Sequence, residues 1–497
     1  MEKNSAGPAG AGRGGPAAGF ADKSVFRVCL LLLPAALGLL AFHFHEPWRD
    51  EIQAWLLARD LSVGALAANA VADGHPIGWH LVLKALMALG LPFTGLQTFS
   101  FACSLAAAAL LVFRGPFPFL CKLLLLLSPI FLFLGVLARP YSLIVLLLFF
   151  HALMYPKRMR HPFLYALPLA LLSQLMVLCL PYVGLMGLWL LAEIRRRERR
   201  KAASYAAVAL LALCVLAACA QLVPSPDTIA AMLWGGGAAK AAESVPLLNF
   251  ALAAIAWGLC LGLAGAWAFA LGKARRMLQW IAAAVCLFGL SVNAFVYPLS
   301  SYHWYTIFAM LAALTWIARD MALSSEERHA ERETAWRAWN LAPLVCACFF
   351  SFPGGAAELY REVTLPSSNL PQAAAYFRTS LAHMPAAAHS MAKMCPLLLD
   401  APGKRFWNPV SEEWSTFAIF DARWHARRSM EPEEAARVVF ARCPEPRPLL
   451  LFSAPWPEHE RAGYVLLIEF NVPSVYDEAF YFYAPLVSAP KTDSALS

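Results

Sequence analysis

Two carboxylates stand side by side in the stretch HEPWRDEIQAW, His45 to Trp55, with Arg49 before them and Trp48 and Trp55 on either side. A carboxylate held within reach of a hydroxyl proton can work as a general base, which makes Asp50 and Glu51 the candidate catalytic residues. A structural role competes with this reading. Asp50 also suits the N-cap of a short helix, with Gln53 three residues on as its capping-box partner, and that arrangement leaves Glu51 idle.

Three later stretches place polar residues at the ends of apolar runs. ADGHPIGWHLVL makes a turn at Asp73-Gly74 and sets His75-Pro76 at the mouth of the next run. ARPYSL carries Arg139 and Tyr141, and SSYHWYTIF carries Tyr302, His303 and Tyr305. Each residue taken alone reads as an interfacial anchor, so any chemistry lies in their combination.

The elements that must position these residues are mostly membrane helices. The chain has 497 residues, 60% hydrophobic and 14% charged, with 16 Trp, 32 Phe and a mean hydropathy of +0.56. A soluble fold of this length needs far more charge to cover its surface, so the composition predicts a polytopic membrane protein, mainly α. The net charge of +8 comes from short basic clusters at 157–160, 195–201 and 273–276. These mark cytoplasmic loops under the positive-inside rule and give no signal for nucleic acid.

Twelve apolar segments are legible, at 25–43, 77–92, 97–113, 118–137, 140–155, 163–179, 181–194, 203–223, 246–272, 277–297, 301–318 and 340–356. Several fall short of the ~20 residues a spanning helix needs, so the expected number is about 11 to 12 segments. With residues 1–24 read as a disordered cytoplasmic tail, the first outer loop covers 44–76 and the membrane body 25–356. Charge topology then gives one crossing too many before Arg114. The run 77–92 is the suspect, because Lys84 would sit near mid-bilayer at a cost of ~2.5–3.5 kcal/mol.

Within the first outer loop, Ile52, Trp55 and Leu56 fall at i, i+3 and i+4. That spacing predicts a short amphipathic helix lying along the outer membrane surface, with Gln53, Arg59 and Asp60 on other faces and Trp48 and Trp55 in the interface. Residues 357–497 contain no membrane-length run. Strand-like RPLLLFSAP and GYVLLIEFNVP alternate with helix-like EPEEAARVVFARC, which predicts a small soluble α/β domain on the outer face. Of the 12 Cys, only Cys395 and Cys443 fall in this polar part, available to pair if it lies in an oxidising compartment.

The order WRDEIQAWLLARD, GHPIGWHLVL, ARPYSL, then a late outer loop with His303 before a Trp-containing helix, resembles the GT-C class of membrane glycosyltransferases. It is most similar to the bacterial relatives of protein O-mannosyltransferases and aminoarabinose transferases, families 39 and 83, across 25–318 and most strongly across 46–85. A weaker echo lies in FWNPVSEEWSTFAIFD and VYDEAFYFYAPL of the tail.

The resemblance implies transfer of a sugar, hexosyl or mannosyl in type, from a polyprenyl-phosphate carrier to a protein, lipid or glycan acceptor at the outer face. Asp50 or Glu51 would take the acceptor's proton. Arg139, His75, Arg49 and Lys84 are then candidates for the donor phosphate, with Tyr141 and Trp48 lining the sugar or the first isoprene units. Tyr302 stands where many bacterial members have Arg, which weakens a phosphate role for the late loop. Some members bind a divalent ion, and Glu51, His75 and His303 have donor chemistry for one. The setting implied is a bacterial inner membrane, or an endoplasmic reticulum membrane if the source is eukaryotic.

Three other classes compete: a transporter or lipid flippase, an intramembrane hydrolase, and a GT-C-like scaffold without catalysis. No internal repeat or matched pair of broken helices supports the first, and no Ser-His or paired-Asp arrangement within the runs supports the second. The third turns on whether Asp50 or Glu51 shares its surroundings with Arg139.

Overall fold

The computed structural model describes residues 18–196, 202–223, 276–295, 299–324, 341–366, 368–427, 429–476 and 478–486. The apolar run 246–272, tail residues 1–17 and most of the charged stretch 319–337 lie outside them.

The body is helical. In chain order its helices are α1 (Ala18–Phe44), α2 (Arg49–Asp60), α3 (Val63–Asp73), α4 (Gly78–Ala88), α5 (Phe93–Arg114), α6 (Phe119–Leu126), α7 (Pro129–Leu132), α8 (Tyr141–Met154), α9 (Pro162–Leu175), α10 (Leu180–Arg196), α11 (Ala202–Gln221), α12 (Arg276–Phe295), α13 (Ser301–Ser324) and α14 (Ala342–Thr364). Among the described residues, six stretches are long and apolar enough to cross a bilayer: Val25–Phe44, Phe93–Arg114, Val177–Arg196, Ala202–Gln221, Arg276–Ala294 and Ala342–Thr364. The chain is built as a membrane protein. α1 starts at Ala18, so residues 18–24, expected in a disordered tail, continue the first helix.

Three of the apolar runs do not form one long helix. The run 77–92 makes only α4, whose 11 residues extend ~16 Å, about half a hydrocarbon core. Lys84 therefore sits on a short helix and is only half-buried. The run 118–137 breaks because Pro129 disfavours helix at the residue before it, and α7 restarts with the proline at its first position. An irregular segment, 133–140, follows up to Pro140, with residues 131–138 all buried. Irregular backbone in a membrane body has to be enclosed by protein that satisfies its polar groups. The run 163–179 ends as a helix at Leu175 and continues as a single 3-10 turn.

The C-terminal part forms a six-stranded mixed sheet from β1 (Ala386–Ala388), β2 (Phe406–Asn408), β3 (Glu413–Ser415), β4 (Leu449–Phe452), β5 (Tyr464–Phe470) and β6 (Phe480–Pro485), in the order β3-β2-β1-β4-β6-β5. β1 runs parallel to both β2 and β4, and the other pairs are antiparallel. RPLLLFSAP supplies β4, buried throughout, and GYVLLIEFNVP supplies β5, which alternates about its exposed positions as an outer strand should. EPEEAARVVFARC supplies the helix Pro432–Arg442. Cys395 and Cys443 are both free thiols, so no disulfide joins them.

α2 departs most from expectation. Every residue from Glu51 to Ala58 is buried, including Trp55, and Trp48 at its N-cap is buried too. The helix is no surface element, because the C-terminal part covers its polar face. Gln53 holds residue 418 by both backbone groups: its Nε2 donates to the Ala418 carbonyl at 2.6 Å and its Oε1 accepts the Ala418 N–H at 3.1 Å. Cys395 Sγ donates to the same Oε1 at 3.0 Å, and the Thr416 hydroxyl donates to Asp60. On its apolar side α2 packs against α4. The residues that look amphipathic in one dimension thus face two different parts of one protein.

Candidate active site

The first turn of α2 separates the two neighbouring carboxylates. The helix N-cap is Trp48, which makes Glu51 the third helical residue, and its carboxylate accepts the Trp48 backbone N–H at 3.0 Å. This is the acidic half of a capping box, so Glu51 fills the role expected of Gln53, and Asp50 is not the cap. The reason is an earlier entry into the helix, two residues before the expected one.

Glu51 is fully buried and does more than cap. It accepts from His45 Nε2 at 3.2 and 3.3 Å and from the backbone N–H of Ala138 in the irregular segment. His45 Nδ1 lies 3.1 Å from Glu362 Oε2 on α14, and Glu362 Oε1 accepts the Tyr476 hydroxyl at 3.2 Å. Burial alone would lower the imidazole pKa. The Glu51 charge and the hydrogen bonds to Glu362 and Glu51 outweigh it and raise the value to about 10. With carboxylates on both ring nitrogens, His45 is an imidazolium that donates twice.

Asp50 points elsewhere. Its side chain keeps 36% of its exposure, with Arg49 Nε 3.5 Å away. Its backbone carbonyl accepts Arg139 Nη1 at 2.9 Å. Ala138 bonded to Glu51 and Arg139 bonded to Asp50 therefore tie two consecutive residues of the irregular segment to two consecutive residues of α2. This double tie seats the Arg139 guanidinium on the Asp50 backbone carbonyl, where the Asp50 carboxylate acts on it electrostatically. Tyr141, Asp50, Asp73 and Tyr302 all act on the guanidinium electrostatically.

The turn before α4 completes the cluster. Gly74 takes a φ of +72° to end α3, and Gly78 lies against the Gln174 carbonyl so closely that a Cβ has no room. Between them, His75 is brought near Asp73, Arg139 and His80. Burial, reinforced by Arg139 and His80 and only partly opposed by Asp73, depresses its pKa to about 4, so its imidazole is neutral at pH 7. His75 Nδ1 and both nitrogens of His80 are buried without a hydrogen-bond partner among the described residues, although His80 Nε2 lies 3.9 Å from Asp73.

An aromatic wall closes one side. Trp48 stacks on Tyr476 at 4.4 Å and 14°, and touches Tyr302 at 6.4 Å, and Tyr302 in turn lies 5.2 Å from Tyr141. His303 packs against both Tyr302 and Tyr141, and its Nδ1 accepts the Ser300 N–H at 3.2 Å. The C-terminal part reaches the same turn through buried Glu478, which accepts the Ser368 hydroxyl at 2.6 Å and interacts with Arg49 and Asp50.

Of the residues singled out by sequence, Arg49, Asp50, His75, Arg139, Tyr141, Tyr302 and His303 converge. Lys84 lies at the margin, one helical turn past His80, and Tyr305 packs on Phe133 away from the cluster. Glu51 turns to the opposite side, its lone pairs engaged. Among the described residues no three His, Cys, Asp or Glu side chains are grouped to hold a metal, and the set Glu51, His75 and His303 does not assemble. His45, Glu362, Tyr476 and Glu478 escaped the sequence reading. The tail stretch VYDEAF held Tyr476 and Glu478, and nothing in the sequence marked Glu362.

No known protein family, no curated protein and no solved structure matches this chain.

Proposed function

We propose that this protein is a membrane glycosyltransferase of GT-C type, moving a sugar from a polyprenyl-phosphate carrier to an acceptor hydroxyl at the outer face of a bacterial inner membrane. The observation that carries the reading is the half-exposed Asp50 carboxylate with the Arg139 guanidinium bonded to the backbone carbonyl of the same residue, brought together by the double tie between α2 and the segment 138–139. A base and a fixed cation side by side suit a displacement in which one oxygen loses a proton while another gains negative charge.

In the proposed step Asp50 takes the acceptor's hydroxyl proton as that oxygen attacks the anomeric carbon. The bond from that carbon to the phosphate oxygen breaks, and the lipid phosphate leaves with the electron pair. Arg139 meets the developing charge, where a planar fork serves a phosphate better than an ammonium does. The imidazoles of His75 and His303 and the rings of Trp48, Tyr141 and Tyr302 border the space for the sugar and the first isoprene units. Glu51 drops out of the list of bases in this proposal, since its hydrogen bonds are already committed.

The test is transfer from a radiolabelled polyprenyl-phosphate sugar pool in membranes carrying wild type, Asp50→Asn or Arg139→Ala at matched amounts of inserted protein. Both substitutions are expected to remove transfer. Wild-type rates from Asp50→Asn overturn the catalytic reading and leave a GT-C-like scaffold in its place.

A further inference from the structure

A buried chain of contacts runs from the C-terminal part to the candidate site. Tyr476 bonds Glu362, Glu362 bonds His45, His45 bonds Glu51, and Glu51 bonds the backbone N–H groups of Trp48 and Ala138. The participants come from five places in the chain: the β5–β6 connection, α14, the α1–α2 loop, α2 and the irregular segment. His45, Glu51 and Glu362 are each less than a tenth exposed.

Burying an imidazolium between two carboxylates is a costly way to gain stability alone, since well-packed apolar residues often serve as well. What apolar residues cannot do is present one carboxylate oxygen to a backbone amide 87 residues away and so fix the position of the residue after it. We infer that His45 and Glu362 form an ionic latch whose task is to position Arg139 against Asp50 by way of Glu51, with Tyr476 extending the latch to the C-terminal part. The inference rests on the proposed function for its consequence and on the hydrogen-bond geometry for its existence.

The charges acting on His45 among the described residues are Glu51 on α2 and Glu362 on α14, with Glu358 one turn earlier acting on Tyr476. Two carboxylates keep the imidazole protonated across the neutral range. With one of them neutralised, the ring deprotonates at a lower pH, gives up one donated bond, and the latch opens.

The experiment compares wild type, Glu362→Gln and Tyr476→Phe by two measurements from pH 6 to pH 9. The first is hydrogen exchange of the peptide spanning 133–140 in detergent, corrected for intrinsic rates. The second is sugar transfer in membranes. Wild type is expected to hold both its protection and its rate level throughout. Glu362→Gln should match it at pH 6 and lose protection, and tenfold or more of its rate, by pH 9. Tyr476→Phe removes one hydrogen bond and no charge, so it should lower protection and rate by less and at every pH, and it serves if Glu362→Gln does not fold.

Protection curves that superimpose overturn the latch. Lost protection with an unchanged rate profile overturns its positioning task and leaves a structural ion pair. Failure of the proposed function has a different signature, a wild type without transfer or an Asp50→Asn variant as fast as wild type. In that event the exchange curves alone decide the latch.

Discussion

On one side of the first turn of α2, Glu51 receives His45 and the N–H groups of Trp48 and Ala138. On the other side, beside Asp50 and Arg139, His75 Nδ1 and both nitrogens of His80 are buried with no such partner. The two regions share composition, a few acids, histidines and aromatics at the end of apolar helices, and differ in saturation. A saturated buried network resists change and holds segments together. Buried polar atoms left unsatisfied cost roughly 1–3 kcal/mol each, a cost the fold retains where it serves something other than folding. On the proposed function, the contrast separates the part of the molecule that positions from the part that receives.

The sharpest way to break that contrast is to neutralise the adjacent carboxylates one at a time. Asp50→Asn is expected to lower transfer by about 10²–10⁴ with little change in unfolding midpoint, the loss typical of a missing general base. Glu51→Gln should instead cost about 3–5 kcal/mol of stability by leaving the buried imidazolium with one carboxylate partner, read as a lowered denaturant midpoint in detergent. Equal loss of transfer per folded molecule in the two variants abolishes the distinction. The receiving side predicts the reverse pattern. His80→Leu removes two unsatisfied nitrogens and should leave stability unchanged or raise it by up to about 1–3 kcal/mol, while weakening binding of the lipid-phosphate donor in a titration. A local effect of similar size is expected at the junction with the C-terminal part. Gln53→Ala uncovers both backbone groups of Ala418 and should cost about 1–3 kcal/mol, detectable as earlier protease cleavage near residue 418.

The acidity of the two sides also differs in sign. His45, with its pKa raised to about 10, contributes stability that is complete below the ordinary imidazole value near 6.5 and disappears as pH climbs towards 10. His75, depressed to about 4, has the opposite linkage, and its burial weighs against folding as pH falls from about 6.5 towards 4. A stability profile from pH 4 to pH 10 should therefore show a shallower acid-side slope in His75→Gln, where buried His80 and His389 still contribute, and a shallower alkaline-side slope in His45→Gln.

Much of the fold was open to reading in one dimension. Apolar length marked the membrane helices, Lys84 and a surplus crossing pointed to the short α4, and the Pro-bounded runs of the tail became strands, β4 as a short continuous apolar run and β5 by its alternation. The candidate site was legible as a set of residues, since His75, Arg139, Tyr141 and Tyr302 stand at run ends where polar side chains have to converge or face the interface. Its internal division was not. Amphipathic spacing in α2 was mistaken for a membrane-surface helix, because spacing reports which residues share a face and says nothing about whether lipid, water or another part of the chain covers it.

Composition and periodicity by themselves determined that this is a membrane protein, mainly helical, with a small C-terminal sheet and an acidic pair in its first loop. The tertiary structure decided which acid of that pair is free. Neighbouring helical residues point about 100° apart, so the exact residue at which the chain enters α2 chooses the direction of each carboxylate. What each then meets is set by Ala138 and Glu362, 87 residues after Glu51 and 317 after His45, and contacts over such separations leave no local periodicity in the sequence.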